Sequence, residues 1–215
     1  LPDLQGDISL NGVYFRYGGN DTPYVLENIS FDIKPGELIA IVGRSGSGKT
    51  TLAKMLVGFY PPTEGKLTVD GYDIGAIDKE YYRAQVGYVM QSNLLFSGTI
   101  AENIASGDES PDRRRIEEVA KMADAHAFIT APILILDEAT SALDTQSESN
   151  ILANMQEILR GRTAVIIAHR LSTIMRADKI LVLYDGAIVE QGRHEELVDR
   201  KGMYYQLVQK QLSAA

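Results

Sequence analysis

Three observations on the sequence predict an α/β fold organised around a mostly parallel sheet. Residues 38–42, 133–136 and 164–168 are short, wholly apolar runs, the composition of strands covered on both faces. Apolar residues at helical spacing stand between them, in 51–56, in Ile116, Val119, Ala120 and Ala123, and in Ile151, Leu152, Met155 and Ile158. That is the strand and helix alternation of a parallel sheet. Each run also ends in residues able to do chemistry: a glycine-rich loop, an acidic pair and a histidine. Open α/β sheets bind ligands at those strand ends.

The chain opens with Ile8, Leu10, Val13, Phe15 and Tyr17, which approximate the alternation of a half-buried strand. Ile29, Phe31 and Ile33 repeat it after the turn Gly18-Gly19-Asn20-Asp21, so an antiparallel β subdomain is expected at the N-terminus. Tyr17 ends the first strand. Its ring either closes a core edge or projects as a platform on which a purine stacks, and position alone favours the core edge.

The apolar run 38–42 leads into Gly43-Arg44-Ser45-Gly46-Ser47-Gly48-Lys49-Thr50 and then Thr51-Leu52-Ala53-Lys54-Met55-Leu56. This reads strand, glycine-rich loop, helix, in the pattern G-x-x-x-x-G-K-[ST]. Glycines let successive N–H groups converge on one point, forming a nest that holds a phosphate chain at a helix N-terminus. Lys49 would reach the β- and γ-phosphates, and the Thr50 hydroxyl is placed to take a coordination position on Mg²⁺. A serine- and glycine-rich surface loop could match the pattern by accident, but it would not stand between a buried strand and an amphipathic helix.

Pro61-Pro62 stops that helix, and Lys66-Leu67-Thr68-Val69 with Asp70-Gly71 returns to strand and turn. A short helix over 79–85 leads to a strand over 86–90 that ends at Gln91. A glutamine there is a solvated amide unless Mg²⁺ or an attacking water lies beside it. Ser110-Pro111 supplies an N-cap and first-turn proline for a helix running to about Ala127, which reads as packing. The run 133–136 ends in Asp137-Glu138. Two adjacent carboxylates at the end of a buried strand are costly unless a cation or substrate uses them. Asp137 would hold Mg²⁺ through water, and Glu138, facing the other way, would polarise an attacking water. His169 ends the next run and, taken alone, reads as a hydrogen-bonded strand-end residue. A hairpin over 180–189 and helices over 195–198 and 203–212 complete the chain.

With 215 residues and 45% hydrophobic composition, the chain can fill the core of one large α/β domain or two small ones. Lys and Arg number 21 against 29 Asp and Glu, a net charge of −8, the wrong sign for a surface that clamps nucleic-acid backbones. No run approaches the roughly 20 apolar residues that span a bilayer. The absence of cysteine removes disulfides and thiolate zinc sites, and His126, His169 and His194 are scattered. The start Leu1-Pro2-Asp3, without an initiator Met, suggests either a domain of a longer polypeptide or an unobserved start.

Taken in order, these residues resemble the nucleotide-binding domain of ATP-binding-cassette transporters, and the likeness covers nearly the whole chain, as one domain over 1–215. Gly43 to Thr50 looks like the Walker A loop, 133–137 (ILILD) like Walker B, Ser141-Ala142-Leu143-Asp144 like the D-loop, Ala168-His169-Arg170 like the switch region, and Gln91 falls on the Q-loop glutamine. The resemblance implies a P-loop NTPase core with a mostly parallel sheet, an N-terminal antiparallel β subdomain and a partial helical subdomain over 92–130. It implies ATP and Mg²⁺ as ligands. The nucleotide would lie on Gly43, Arg44, Ser45, Gly46, Ser47, Gly48, Lys49, Thr50, Thr51 and Gln91, with adenine stacked on Tyr17, which reverses the positional reading of that ring. Thr50, Gln91 and Asp137 would surround Mg²⁺, Glu138 would be the catalytic base and His169 the γ-phosphate sensor.

The segment Leu94-Leu95-Phe96-Ser97-Gly98-Thr99-Ile100, followed by Ala101-Glu102-Asn103-Ile104, resembles exporters, above all the bacterial peptide and toxin exporters. The implied partners are a second copy of the domain, in an ATP-dependent head-to-tail dimer, and a fused or associated transmembrane domain. The implied place is the cytoplasmic face of the inner membrane. Two other readings stand beside this one. A soluble cassette ATPase acting on DNA or the ribosome is opposed by the acidic balance, and a nucleotide-binding cassette without turnover is favoured by one departure from the family pattern.

That departure is the LSGGQ signature, which the family places before Walker B and which this sequence lacks. Only Phe128-Ile129-Thr130-Ala131-Pro132 stands between the helix and the strand. Five steps from Phe128 to Ile133 span at most about 17 Å fully extended, a tight connection. A deletion would also strip the helix carrying Ile116, Val119 and Ala123 of a packing partner and leave an apolar stripe uncovered. The expectation is therefore that the native polypeptide carries a signature segment near 130/131. An intact mass several kDa above 23.6 kDa is the expected result, and a mass of 23.6 kDa would overturn it.

Overall fold

The computed structural model describes residues 3–89, 112, 114, 131–137, 161–168 and 171–212. The first strand, β1 (Ile8–Phe15), pairs antiparallel with β2 (Leu26–Ile33), with Ile8 opposite Ile33 and Leu10 opposite Phe31. Its inward residues are Ile8, Leu10, Val13 and Phe15, so the alternation slips by one between Leu10 and Val13. The slip coincides with a register shift there, where an extra residue is absorbed as a bulge and the strand bends.

On its other edge β1 pairs with β4 (Glu64–Val69), which pairs in turn with β5 (Tyr72–Asp73). The antiparallel sheet therefore runs β2-β1-β4-β5 and takes its second pair of strands from beyond the phosphate loop. Asp70, in the turn after β4, accepts the backbone N–H groups of Gln5 and Asp7 at 2.7 and 2.8 Å and so ties down the start of the chain.

The second sheet has six strands. It contains β3 (Leu38–Gly43), β6 (Val86–Val89), β7 (Ile133–Asp137), β8 (Thr163–Ile167), β9 (Lys179–Tyr184) and β10 (Ala187–Gly192), in the order β10-β9-β3-β8-β7-β6. All neighbours are parallel except the β9-β10 hairpin. The three runs read as buried strands are β3, β8 and β7, side by side, and every residue of β7 and β8 is buried.

Five helices are described: α1 (Lys49–Leu56), α2 (Lys79–Arg83), α3 (Leu171–Ile174), α4 (His194–Asp199) and α5 (Met203–Leu212). Alternation along the parallel strands divides the core. Ile39, Ile41, Ile135, Val165, Ile167, Leu181 and Leu183 pack with Leu52, Met55 and Leu56 of α1 and with the inner face of the antiparallel sheet. Ala40, Val42, Ile166, Ile180 and Val182 face the other way, onto Ile174, Leu197, Tyr204 and Val208 of α3, α4 and α5. The first turn of α5 is held by Glu190 of β10, whose carboxylate accepts the N–H groups of Met203 and Tyr204 at 3.0 and 2.8 Å, a favourable charge at a helix N-terminus.

Most of these elements match the sequence reading with small changes at the ends: the helix expected over 79–85 spans Lys79–Arg83 and the strand expected over 86–90 is described to Val89, while β5 and α3, of two and four residues, are too short for a periodic signal and were not expected. The helices expected over 110–127 and 151–158, the helical subdomain over 92–130 and the D-loop segment lie outside the described residues, apart from positions 112 and 114.

Thr163 joins three parts of the fold. Its buried hydroxyl donates to the Gly6 carbonyl at 3.0 Å and accepts the Gly36 N–H at 3.1 Å, linking β8 to the N-terminal segment and to the turn before β3. Thr163→Val keeps the shape and leaves both groups without their partner, so unfolding stability should fall by about 1–3 kcal/mol, read as a lower urea midpoint with unchanged slope.

Candidate functional site

The site is built where β3 leaves the sheet. At Gly43 a Cβ would lie 2.3 Å from the Leu183 carbonyl oxygen of β9 and 2.7 Å from Ser47 Oγ, so no side chain fits. Gly48 caps α1 in the left-handed region, at φ 99°, where a Cβ would also meet Leu26 Cδ2 at 2.8 Å. The returning hairpin supports the loop from behind, with the Gly186 N–H donating to the Ser47 carbonyl at 3.2 Å.

The resulting helix start is prepared for an anion. No side chain caps α1 and its first turn holds no acidic residue, so its leading N–H groups stay available at the positive end of the helix dipole. Arg44, Ser45 and Gly46 are exposed at the mouth of the loop, whereas Ser47, Gly48 and Lys49 are buried beneath it. Lys49 is 7% exposed and its ammonium donates to the carbonyls of Gly43 and Arg44 at 3.0 and 2.9 Å. Ser47 Oγ is buried and makes no hydrogen bond among the described residues. A buried hydroxyl without a partner costs free energy, and an incoming phosphate oxygen would supply one.

Thr50 is half-buried in the first turn of α1, and Thr51 is buried beside it. Asp137 closes β7 at 1% exposure. One strand, β8, separates it from β3, and Ile167 of β8 stands in register with both Asp137 and Ile41. The Tyr88 hydroxyl of β6 reaches toward Asp137 Oδ2 at 3.5 Å, and burial, with the carboxylate beside it, pushes the phenol up to about 12. A tyrosine hydroxyl is protonated at neutral pH in any case, so it faces the carboxylate as a donor. Among the described residues no group of three or more His, Cys, Asp or Glu side chains could hold a metal. A hydroxyl and one carboxylate fit Mg²⁺, which keeps much of its water and binds through few protein oxygens plus substrate phosphates.

Tyr17 lies just past β1; its ring packs against buried Phe15 at the edge of the core and yet is 42% exposed, so part of it faces outward. Its hydroxyl is 3.1 Å from Thr51 Oγ1, which brings the aromatic ring to the same helix turn as the phosphate loop. Gln91, Glu138 and His169 lie outside the described residues. In sequence each follows, within two residues, the carboxyl end of one of the neighbouring strands β6, β7 and β8.

Two contributors escaped the sequence reading. Tyr88 stood in a run read as a strand, and Tyr60, between α1 and the proline pair, was not singled out; its ring packs on Tyr17 with centroids 5.3 Å apart. A phenol placed in an otherwise apolar strand was the available signal for the first.

Comparison with known proteins gives a consistent result. A family profile described as "ABC transporter" matches residues 26–133. The leukotoxin translocation ATP-binding protein LktB of Mannheimia haemolytica is 43% identical over 248 positions, covering 99% of this chain and 35% of that protein. LktB of Bibersteinia trehalosi gives the same figures. This chain thus spans about a third of the length of the curated relatives it matches. The alignment has 248 positions and the chain 215 residues, so more than thirty positions of the relative face no residue here. Among solved structures, a bacterial Atm1-family ABC exporter with ATP bound is similar at a TM-score of 0.79 and 36% identity, over 98% of this chain and 43% of that one.

Proposed function

The chain belongs to the ABC transporter family, and from that premise we propose that it binds and hydrolyses ATP to drive export across a membrane through a transmembrane domain fused to it or associated with it. The observation that carries this reading is the helix start at Gly48, uncapped and acid-free, over a buried Lys49 and an unsatisfied Ser47 hydroxyl. The relatives named above are exporters or their ATP-binding components, which supports the direction of transport.

In this mechanism the loop from Gly43 to Gly48 presents backbone N–H groups to the phosphate chain, and Lys49 moves its charge from the loop carbonyls to the β- and γ-phosphates. Mg²⁺, held by Thr50 and Asp137 with Gln91, supplies positive charge against the phosphate oxygens when bound. Glu138 takes a proton from water as the water oxygen attacks the γ-phosphorus. The bond to the β-phosphate oxygen breaks, and Lys49 with the α1 N–H groups stabilises the charge that collects on departing ADP. His169 contacts the γ-phosphate and Tyr17 stacks on the base.

A second copy of the chain would form the head-to-tail dimer, at the cytoplasmic face of the membrane. No helix among the described residues is long and apolar enough to cross a bilayer, so the spanning part would come from the transmembrane domain. Nucleic acid is not an expected partner, given the acidic balance.

One observation favours a second reading, a cassette that holds nucleotide without turnover. The sequence lacks the signature that would complete the partner's site, and the family relative carries more than thirty positions with no counterpart here. Steady-state phosphate release separates the two readings.

Lys49→Ala should abolish ATP binding, because the nest alone holds a multiply charged phosphate chain weakly; titration with a fluorescent ATP analogue checks it, and unchanged affinity would place the nucleotide elsewhere. In the complete protein, Glu138→Gln should keep ATP and Mg²⁺ affinity while hydrolysis drops by roughly two or more orders of magnitude, since the amide keeps the shape and loses the base. Near-normal turnover would move the base to another group, His169 first.

A further inference from the structure

We propose that Tyr60 is a positioning residue for base binding: together with the Thr51 hydroxyl it locks the Tyr17 ring in the orientation that a nucleobase stacks on. The inference rests on the reading that Tyr17 carries the base. Tyr17 stands outside β1, in a segment where backbone pairing no longer fixes it, and a ring free to rotate about two torsions would have to be ordered by each arriving ligand. Three contacts remove that freedom beforehand. The Tyr17 ring meets Phe15 at a centroid distance of 4.8 Å and an interplanar angle of 87°. It meets Tyr60 at 5.3 Å and 89°. Its hydroxyl is fixed at 3.1 Å from Thr51 Oγ1.

The two edge-to-face contacts differ in what anchors them. Phe15 is 5% exposed and belongs to β1. Tyr60 comes from the stretch after α1 and packs in turn on Phe15 at 5.4 Å and 40°, closing a triangle of three rings. Perpendicular aromatic pairs are the favourable arrangement, since the positive ring edge meets the negative face. With both neighbours perpendicular to it, Tyr17 stays 42% exposed, so surface remains for a flat ligand. Pro61 and Pro62 follow Tyr60 and restrict its backbone. The helix α1 that starts at the phosphate loop also carries Thr51, so one helix turn relates that loop to the hydroxyl that holds the Tyr17 ring.

The test compares ATP with inorganic tripolyphosphate, which shares the phosphate nest and lacks a base, by isothermal titration of the complete protein. Stacking on one aromatic ring is worth about five- to a hundredfold in affinity, so Tyr60→Leu should weaken ATP roughly three- to tenfold while tripolyphosphate stays within about twofold. Tyr60→Phe should behave as the parent, because the ring and not its hydroxyl makes the contact. Tyr17→Phe should weaken ATP alone, by releasing the Thr51 bond. Tyr17→Ala reports on the underlying reading: if it leaves ATP affinity unchanged, the base does not stack there and that reading fails. If Tyr17→Ala weakens ATP and Tyr60→Leu does not, the positioning role is overturned while the stacking stands. Equal losses for ATP and tripolyphosphate in Tyr60→Leu would also overturn it, by showing that the ring serves the fold as a whole.

Discussion

The structure depends on how closely β3 approaches β9 at the point where the chain turns into the phosphate loop. Gly43 lies so near the Leu183 carbonyl that a methyl group could not stand between them. That closeness lets the hairpin behind it donate Gly186 N–H to the Ser47 carbonyl. The loop is thus held by a strand joined to it by pairing, not by its own few contacts. A loop fixed from outside can keep its N–H groups aimed at an anion before the anion arrives, which spares binding the entropy of ordering them.

Electrostatics then follow from burial. An ammonium at 7% exposure and a carboxylate at 1% would be expensive in an apolar interior. The Lys49 ammonium donates to two loop carbonyls, and the Tyr88 hydroxyl reaches toward Asp137. Both side chains sit where a phosphate chain with its cation would add charge of the opposite sign to each.

Much of this was legible in the sequence because the signals are local. The glycine-rich loop, the apolar runs and the terminal helix Met203–Leu212 each declare themselves within a dozen residues. The slip at Gly12 was visible only as an imperfect alternation, since a bulge is defined by the partner strand it faces. Which strands become neighbours was not legible: nothing near β1 says that β4 will pair with it after the phosphate loop has intervened. The same limit applies to the site. Tyr17 could not be assigned from position, because the groups that orient it lie at Thr51 and Tyr60, and the Tyr88 contact to Asp137 spans 49 residues. The resemblance to a family supplied what local pattern could not.

The strand order has a consequence for synthesis. The central strand β3 is made early, yet both of its neighbours, β8 and β9, come from the last quarter of the chain. Until those residues leave the ribosome, Leu38 to Val42 form an apolar strand with two open edges, the kind of surface that pairs with other chains. The strands of the antiparallel sheet are made far sooner, because β1, β2, β4 and β5 all lie before Ile74. Within this segment, then, the inner face of the antiparallel sheet and both edges of β3 stay uncovered until β8 and β9 have been made, since a single core joins them.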